Sequence, residues 1–453
     1  MRDRRSATLV TLVIIYFTLN AKEFSNVSLP SALPAIDVSV AGPVATLLPA
    51  TGTVFYSSGK FIVTALTQAI GARKVLLGST LLTGFGLLIC ASPGASYTLL
   101  LMGWSLAQFG TAQIWIACYG LAVLWVDRIY FGRVIAFVFA IGSDGGGAIG
   151  SFVFSSILHA CGSSGWPFVF LLTGGFMLCM CVVLAACVHA SAEDAGFEPP
   201  DQGDGPRERI KGAAHPLASA PLATALHSFM TTPRYWLALA AGGGYTVSFM
   251  TMQSYCALYA SRRLGVSADV SARMVSAAMA GSATGGILGG LAVDALRGAP
   301  LIALAGAYKL GAVAIGLTWL TLDIGLASGG QPWPLMATQS QQATMLALAL
   351  FWIFGSIEFS WAPILGRACA KIGGPRHAAT AIGILDCFGF VLRVPFAYMF
   401  GSMLEEGSLI STALLLWLLV LLVAHAAVLA LIVLDERGAS PHGADPASVS
   451  RLV

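Results

Sequence analysis

Eight ionisable side chains lie inside stretches of the chain that are otherwise apolar. An ionised side chain at the centre of a bilayer costs roughly 2.5–3.5 kcal/mol on insertion scales, so such residues must face one another or water. Ammonium, guanidinium and carboxylate groups in such a place can bind a polar solute and can exchange protons. The residues are Lys22, Glu23, Lys60, Asp144, Lys309, Glu358, Asp386 and Arg393.

The four carboxylates in this set are the candidates for proton coupling. A buried carboxylate that lacks a counter-charge can bind and release a proton as its surroundings wet and dry. Glu358, in "FGSIEFSWAP", is the first candidate, with Asp144, Glu23 and Asp386 as the others. A lysine that permanently neutralises Glu358 is the structural alternative. Asp386 and Arg393 lie two turns apart on one helix face, so they are either functional or a structural pair.

The basic and aromatic residues are the candidates for substrate binding. Lys22 and Glu23 are adjacent, so they point about 100° apart on a helix, and we expect that they do not satisfy each other. Lys60 either contacts the solute or pairs with Asp144 or Glu358 to hold parts of the protein together. The predicted substrate-binding residues are Lys22, Tyr56, Lys60, Tyr255, Trp361 and Arg393.

The composition predicts that membrane-spanning helices position these residues. The 453 residues are 57% hydrophobic and 10% charged, with a mean hydropathy of +0.81, whereas soluble domains carry roughly 25% charged residues. Runs of about 20 apolar residues span a bilayer as helices, because backbone groups in lipid must be paired internally. Twelve such runs centre on 7–30, 45–69, 74–93, 97–126, 134–158, 166–189, 234–260, 271–293, 300–322, 343–366, 378–403 and 409–434.

The placement of basic residues predicts the orientation in the membrane. Seventeen lysines and arginines fall in loops on the side of the termini, against Arg262, Arg263 and Arg273 on the other side. The positive-inside rule then puts both termini in the cytoplasm. We expect a multi-pass protein of a plasma or inner membrane rather than of an organelle. The predicted domains are an N-terminal six-helix bundle, a cytoplasmic linker, a C-terminal six-helix bundle and a cytoplasmic tail, over 1–189, 190–233, 234–434 and 435–453.

Two groups of six helices with a long polar linker resemble the major facilitator fold, in which two pseudo-symmetric bundles surround a cavity. "AIGSDGGG" at 140–147 and "AIGILDCFG" at 381–389 are similar and lie six helices apart. The resemblance implies that the first, fourth, seventh and tenth helices line the cavity, beside the second, fifth, eighth and eleventh. Seven of the eight charges lie on such helices, and we expect Lys309, on the ninth, to have a packing or snorkelling role.

Two loops resemble the Gly-x-x-x-Asp-Arg-x-Gly-x-Arg-Arg motif of the facilitator family. They are "TALTQAIGARK" at 64–74, where Gln68 replaces the aspartate, and "GLAVDALRG" at 290–298. In the family the aspartate bonds the end of a neighbouring helix, and the basic residues hold the cytoplasmic gate. The resemblance therefore implies gating roles for Gly71, Arg73, Lys74, Asp294 and Arg297.

The first, second, fifth and eleventh segments also resemble the organophosphate:phosphate antiporters of the same superfamily. Three features depart from that family. Ala21 replaces its phosphate-binding arginine, the seventh segment has no basic residue, and Asp144 is added where a histidine is missing. Since paired arginines suit a phosphate dianion and an aspartate repels one, the scaffold looks related and the phosphate site does not. The matches are Lys22, Phe24, Pro30, Tyr56, Lys60, Phe61 and Gly145–Gly147.

These features predict a secondary active transporter for a small polar organic solute, which is an organic anion, a zwitterion or a sugar-like molecule. Transport by alternating access would be coupled to protons or to a counter-solute. One alternative is a sugar-phosphate/phosphate antiporter with a rearranged site, and another is a non-transporting receptor of the same fold. No nucleotide loop or nucleophile constellation indicates an enzyme, a cofactor or a metal. The expected partners are the small-molecule solute, protons or a counter-solute, and membrane lipids. We expect no binding of nucleic acid, and we expect a monomeric protein.

Overall fold

The computed structural model describes residues 4–92, 94–127, 134–200, 222–264, 266–295, 310–318, 341–359, 362–406 and 410–438. Helices dominate these residues, and each of the twelve predicted apolar runs overlaps a helix. The fold is therefore all-α, as the apolar run lengths require in lipid.

The described residues of the first half of the chain form six long helices. The fifth begins as a π-helix at Ile135–Gly145 and continues as an α-helix at Gly146–Cys161, and a 3₁₀ turn at Gly162–Gly165 leads into the sixth. The helices are α1 (Arg4–Ser39), α2 (Val44–Ile70), α3 (Ala72–Cys90), α4 (Tyr97–Val123), α5 (Ile135–Gly145 with Gly146–Cys161) and α6 (Trp166–Cys187).

The second half contains the other six. A short helix at Leu222–Thr231 precedes them and lies inside the predicted linker, where Phe229 is buried against Tyr235. The helices are α7 (Pro233–Leu264), α8 (Ala268–Ala295), α9 (residues 310–318), α10 (Gln341–Phe359), α11 (Ala362–Glu406) and α12 (Ile410–Gly438).

Six stretches of the described helices are long and apolar enough to cross a bilayer by themselves. Each contains at least the roughly 18–20 residues that cross the hydrocarbon core at 1.5 Å rise per residue, and one of them, Ile141–Cys187, covers part of α5 and all of α6. The stretches are Arg4–Ser39, Ala72–Cys90, Tyr97–Val123, Ile141–Cys187, Gly383–Glu406 and Ser411–Leu431. The chain is a multi-pass membrane protein.

Two helix boundaries differ from the sequence prediction. Helix α1 continues through Pro30 and Pro34 to Ser39, because membrane helices tolerate proline where neighbouring helices cover the freed backbone groups. Helix α11 begins at Ala362 and includes residues 367–377, which the apolar pattern leaves as a loop. The alanine, lysine and arginine of that segment favour a helix, whereas Gly373, Gly374 and Pro375 disfavour one, so local helix propensity does not explain this extension.

The bundle has two ends, the terminal end and the far end. The terminal end carries the start of α1, the end of α6 and the start of α7, where Arg73 donates to the Val188 carbonyl and Arg234 to the Leu434 carbonyl. The far end carries the end of α1, the end of α7 and the end of α11, marked by Asp37, Arg262 and Glu405.

Glycines allow α5 to approach both halves closely. A Cβ at Gly146 would collide with Asn20 of α1, and one at Gly147 would collide with Met279 of α8. Small residues at such positions let membrane helices pack backbone to backbone. The Gly145–Gly147 segment therefore places α5, with its ionisable residue Asp144, directly between α1 and α8.

Candidate functional site

A cavity lies between the two halves, in the middle of the bundle. Its volume is about 60 Å³. Helices α1, α2 and α4 line it from the first half, and α7 and α11 from the second. The lining residues are Lys22, Asn26, Leu29, Pro30, Pro49, Gly52, Thr53, Tyr56, Trp104, Gln108, Met250, Gln253, Ser254, Phe390 and Arg393.

Helices α2 and α11 close this cavity on the side of the terminal end. The Tyr56 and Phe390 rings, one from each half, lie 4.4 Å apart between centroids. One turn further, Lys60 Nζ lies 2.5 Å from Asp386 Oδ2. Contacts between the two halves therefore separate the cavity from the terminal end along these two helices.

The Lys60 ammonium also lies over aromatic rings, 5.6 Å from the Tyr56 centroid and 5.7 Å from that of Trp115. Such contacts stabilise a cation where water is scarce. The prediction that Lys60 joins the halves with Asp144 or Glu358 named the wrong partner, because Asp386 on α11 faces Lys60 across the interface.

Hydrogen bonds and ion pairs of the described residues join the halves at the far end. Arg262 of α7 donates to Asp37 of α1 at 2.6 Å, and the Thr46 amide of α2 donates to Glu405 of α11 at 2.9 Å. Thr46 lies in the first turn of α2, where amide groups lack helical partners and favour a carboxylate. A Cβ on Gly401 would press against Ala45 and Thr46, so α2 and α11 touch backbone to backbone there.

Helices α5 and α8 make a second group of far-end contacts. His159 Nδ1 lies 3.1 Å from Asp269 Oδ2, and Ser276 donates to the Ala148 carbonyl at 2.7 Å. Partial burial acts to raise the pKa of Asp269, but hydrogen bonds from Ser267 and His159 outweigh it and hold that pKa below its ordinary value. Asp269 is therefore ionised at neutral pH and available to His159.

We expect the substitution Arg262→Ala to open the far end more often. The lost contact to Asp37 joins the two halves and is partly exposed. It is therefore worth about 1 kcal/mol, and its loss raises the open population about fivefold. The rate at which a polar thiol reagent modifies Thr46→Cys, buried in this structure, measures that population. The matched control Arg234→Ala at the terminal end should leave the rate unchanged. An unchanged rate in Arg262→Ala would show that this contact does not hold the far end closed.

Lys22 and Glu23 form a buried ion pair on α1, with the Lys22 ammonium in direct contact with Glu23 Oε1. The expectation that these neighbours do not satisfy each other is wrong. Both side chains are long enough for their charged ends to converge although their Cβ atoms diverge. Ser143 of α5 donates to Glu23 Oε1 at 2.6 Å, and Asn26 donates to Oε2 at 2.9 Å. Lys22 lines the cavity, and Glu23 carries the charge behind it.

Asp144 is buried in the π-helical part of α5. Its charged neighbours are Glu23 and Lys22, and Ser282 of α8 lies beside it. In the described part of the chain, no cation lies within ion-pair distance of Asp144, and its Oδ2 has no hydrogen-bond partner. Long π-helical segments are rare and often occur at functional sites, and nothing in the apolar pattern of 134–158 predicts this one.

Glu358 is buried among α7, α10 and α12. Ser248 donates to its Oε2 at 3.1 Å, and His425 Nε2 lies 3.2 Å from its Oε1. The lysine proposed as a neutralising partner is replaced by a histidine that the sequence analysis missed. His425 stands in "LLVAHAAV", inside an apolar run, so the reasoning applied to the other eight charges could have found it.

Of the remaining predicted binding residues, one lines the cavity and the others do not or lie outside the described residues. Arg393 lines the cavity and donates to Ser254 Oγ at 2.5 Å. Asp386 and Arg393 use different partners, on α2 and α7 respectively. Tyr255 is buried and is not among the residues that line the cavity; its hydroxyl donates to the Ala397 carbonyl at 2.6 Å. Trp361 lies outside the described residues.

The predicted gating residues whose backbone the structure describes, Gly71, Arg73, Lys74 and Asp294, lie at the terminal end. Gly71, with φ 87°, forms the turn between α2 and α3. Arg73 donates to the Val188 and Ala185 carbonyls, at 2.6 and 2.9 Å, and thereby caps α6 of its own half. Lys74 is exposed. Asp294 lies near the end of α8, and its side chain is outside the described part of the structure, as are Arg297 and Lys309.

Comparisons with known proteins agree with this architecture. The sequence profile described as Major Facilitator Superfamily matches residues 8–397. A search of curated protein sequences gives no match. Among solved structures, a bacterial homologue of the human lysosomal transporter Spinster, inward-facing and unoccupied, matches with a TM-score of 0.65 and 16% identity over 95% of this chain and 97% of that one. A D-xylose-proton symporter matches with a TM-score of 0.64 and 14% identity over 94% and 96%.

Proposed function

Because the chain belongs to the Major Facilitator Superfamily, and is a transporter rather than an enzyme, we propose that it moves a small polar organic solute across a membrane by alternating access. The observation that carries this proposal is the cavity between the halves, lined by Lys22 of α1 and Arg393 of α11. Intramembrane charges are costly unless they face each other or a polar path. Cations from both halves at one cavity support a solute site whose two sides can separate.

The proposed cycle rests on the distribution of contacts around the cavity. We propose that the terminal end is cytoplasmic, as the basic loops indicate, and that the protein acts as a monomer in a plasma or inner membrane. The far-end contacts of Arg262 and Glu405 then form the outer gate. The Lys60–Asp386 pair forms the inner closure, and Asp386, about a third exposed, is its more accessible partner. Breaking one set while keeping the other exposes the cavity to one side at a time.

Proton coupling is the proposed energy source, and Asp144 is the favoured site. Glu23 and Asp386 have lysine neighbours, Lys22 and Lys60, and Glu358 has His425, whose ring is a cation only when it is protonated, so each has a basic neighbour. Asp144 has none within ion-pair distance among the described residues. Because a buried carboxylate without a counter-charge can bind a proton at neutral pH, it meets the requirement for coupling better than Glu358, the first candidate by sequence.

The test is uptake into proteoliposomes that contain the purified full-length chain. Radiolabelled organic acids, amino acids and sugars are offered with and without an inward-directed pH gradient, and empty liposomes are the control. Accumulation that requires the protein supports transport, and stimulation by the gradient supports coupling to protons. A solute that binds to the protein without accumulating under any gradient would favour a non-transporting receptor.

A sugar-phosphate/phosphate antiporter remains the second candidate, because Lys22 and Lys60 match residues of that family. In this structure the charges of both lysines are balanced by carboxylates, Glu23 and Asp386, which leaves little positive charge for a phosphate dianion. Exchange of internal phosphate for an external sugar phosphate, abolished by Lys22→Ala, would establish this alternative.

A further inference from the structure

We infer that the cavity contains a subsite for the carboxylate of a small organic monoanion, formed by Trp104 and Gln108 of α4 and Arg393 of α11. This inference rests on the proposed transport function and narrows its substrate class. The juxtaposition that carries it is a set of buried donor atoms, from opposite halves, that line the same cavity and have no hydrogen-bond partner among the described residues.

Three donor atoms in the cavity lining lack partners among the described residues. They are Trp104 Nε1, Gln108 Nε2 and Arg393 Nε. Each of these residues is more than nine-tenths buried. A buried donor without a partner costs roughly 1–3 kcal/mol, and more if it is charged, so three of them around one cavity indicate a missing acceptor.

The two donors of α4 are held side by side. Trp104 and Gln108 are four residues apart and share one helix face, and both lie over Gly52 of α2. A Cβ at Gly52 would collide with Trp104 Nε1 and approach Gln108 Cγ to 3.2 Å. The missing side chain at Gly52 therefore lets the Trp104 indole and the Gln108 side chain pack directly against the α2 backbone, which holds both donors in place at the cavity wall.

Of the cations at the cavity, Arg393 is the one that has no carboxylate partner among the described residues. Lys22 contacts Glu23, and Lys60 contacts Asp386. Arg393 is bonded to the neutral Ser254 hydroxyl, and no carboxylate of the described residues lies within ion-pair distance of it. A buried guanidinium needs a counter-ion, and it binds a planar carboxylate through two parallel hydrogen bonds. At the cavity wall, Arg393 thus presents one positive charge that no carboxylate of the described residues pairs, which matches a monoanion better than a phosphate dianion.

The rest of the lining suits an apolar body on that anion. Leu29, Pro30, Pro49, Met250 and Phe390 face the cavity. Apolar walls with a few converging polar groups are typical of small-molecule sites. The inferred ligand is therefore a short monocarboxylate, with its oxygens between α4 and α11 and its carbon chain against these side chains.

Because the ligand is unidentified, the test uses butyrate as a carboxylate probe and butyramide as its uncharged analogue. Thermal unfolding of the purified full-length protein in detergent is measured in titrations of each. We expect butyrate, and not butyramide, to raise the unfolding temperature. Arg393→Gln should raise the apparent Kd for butyrate at least about thirtyfold, because it removes one partner of a buried charged contact. Arg393→Lys should restore part of the affinity, and Arg234→Gln, at a surface arginine, should retain all of it.

Two further variants test the α4 side without changing charge. Trp104→Phe removes the indole donor, and Gly52→Ala displaces the indole, because the added methyl group would collide with Trp104 Nε1. Each should weaken butyrate binding about five- to tenfold, the effect of one hydrogen bond. Equal stabilisation by butyrate and butyramide, no stabilisation by either, or unchanged affinity in Arg393→Gln would overturn the inference. Uptake of a neutral solute would then leave the transport proposal standing, whereas butyrate binding without accumulation of any solute would retain the subsite and refute transport.

Discussion

The substitution Lys22→Met is expected to destabilise the protein by about 3–5 kcal/mol, because it leaves the buried Glu23 carboxylate without its cation. Lys22 and Glu23 are both more than nine-tenths buried. Removing one partner of a buried pair is costly, whereas replacing both partners by neutral groups of similar size is often nearly neutral. The double variant Lys22→Met/Glu23→Gln should therefore recover most of the lost stability.

Unfolding in detergent gives the free energies of unfolding of the original protein, the two single variants and the double variant, which together form a double-mutant cycle. Lys74→Met, at an exposed lysine, is the matched control and should change stability by less than about 0.5 kcal/mol. If the double variant loses as much stability as the sum of the single ones, the two side chains do not act as a pair.

The same cycle separates a structural role from a binding role. A purely structural pair would leave the stable double variant able to transport its solute. Lys22 also lines the cavity, so we expect the double variant to fold normally and yet to have reduced uptake. The comparison of stability with uptake then shows which property depends on the lysine itself.

The apolar runs and the positions of the charges were predictable from the sequence, because lipid forces every spanning segment into a helix of known length. The prediction that charges concentrate near a central cavity is consistent with Lys22 and Arg393, which line it. Composition alone identifies such residues, because an unpaired charge in lipid is too costly to occur without a reason.

The partners of those charges were not predictable. Lys22 turns to its own neighbour Glu23, and Lys60 reaches Asp386 across the interface. The partner of each lysine depends on how far the side chain extends and on which helices are in contact. The periodicity of a helix in the sequence determines neither of these. The π-helix that presents Ser143 to Glu23 likewise depends on how α5 packs against α1.

The substitution Asp144→Asn is expected to abolish the effect of a pH gradient on uptake while solute exchange at equal pH continues. Asparagine has the shape of a protonated aspartate and cannot release a proton. The measurement compares gradient-driven accumulation with exchange of labelled for unlabelled solute in the same proteoliposomes, for whichever solute the uptake screen identifies. Glu358→Gln is the matched control, and we expect it to retain the response to the gradient. A response that persists in Asp144→Asn and disappears in Glu358→Gln would assign coupling to Glu358 and His425 instead.

The reason to expect coupling at Asp144 lies in what surrounds it. Glu23 and Lys22 of α1, Ser282 of α8 and the Tyr245 ring of α7 are the polar groups near it in the described residues. When Asp144 is ionised, two carboxylates compete for Lys22, and when it is protonated, Glu23 alone holds that ammonium. Since Lys22 lines the cavity, a proton on Asp144 changes how the cavity presents its charge to a solute. Helix α5 packs on both α1 and α8, so a proton on Asp144 also changes the charge at the contact between the two halves. A single site can thereby link proton binding to solute binding and to movement of the halves.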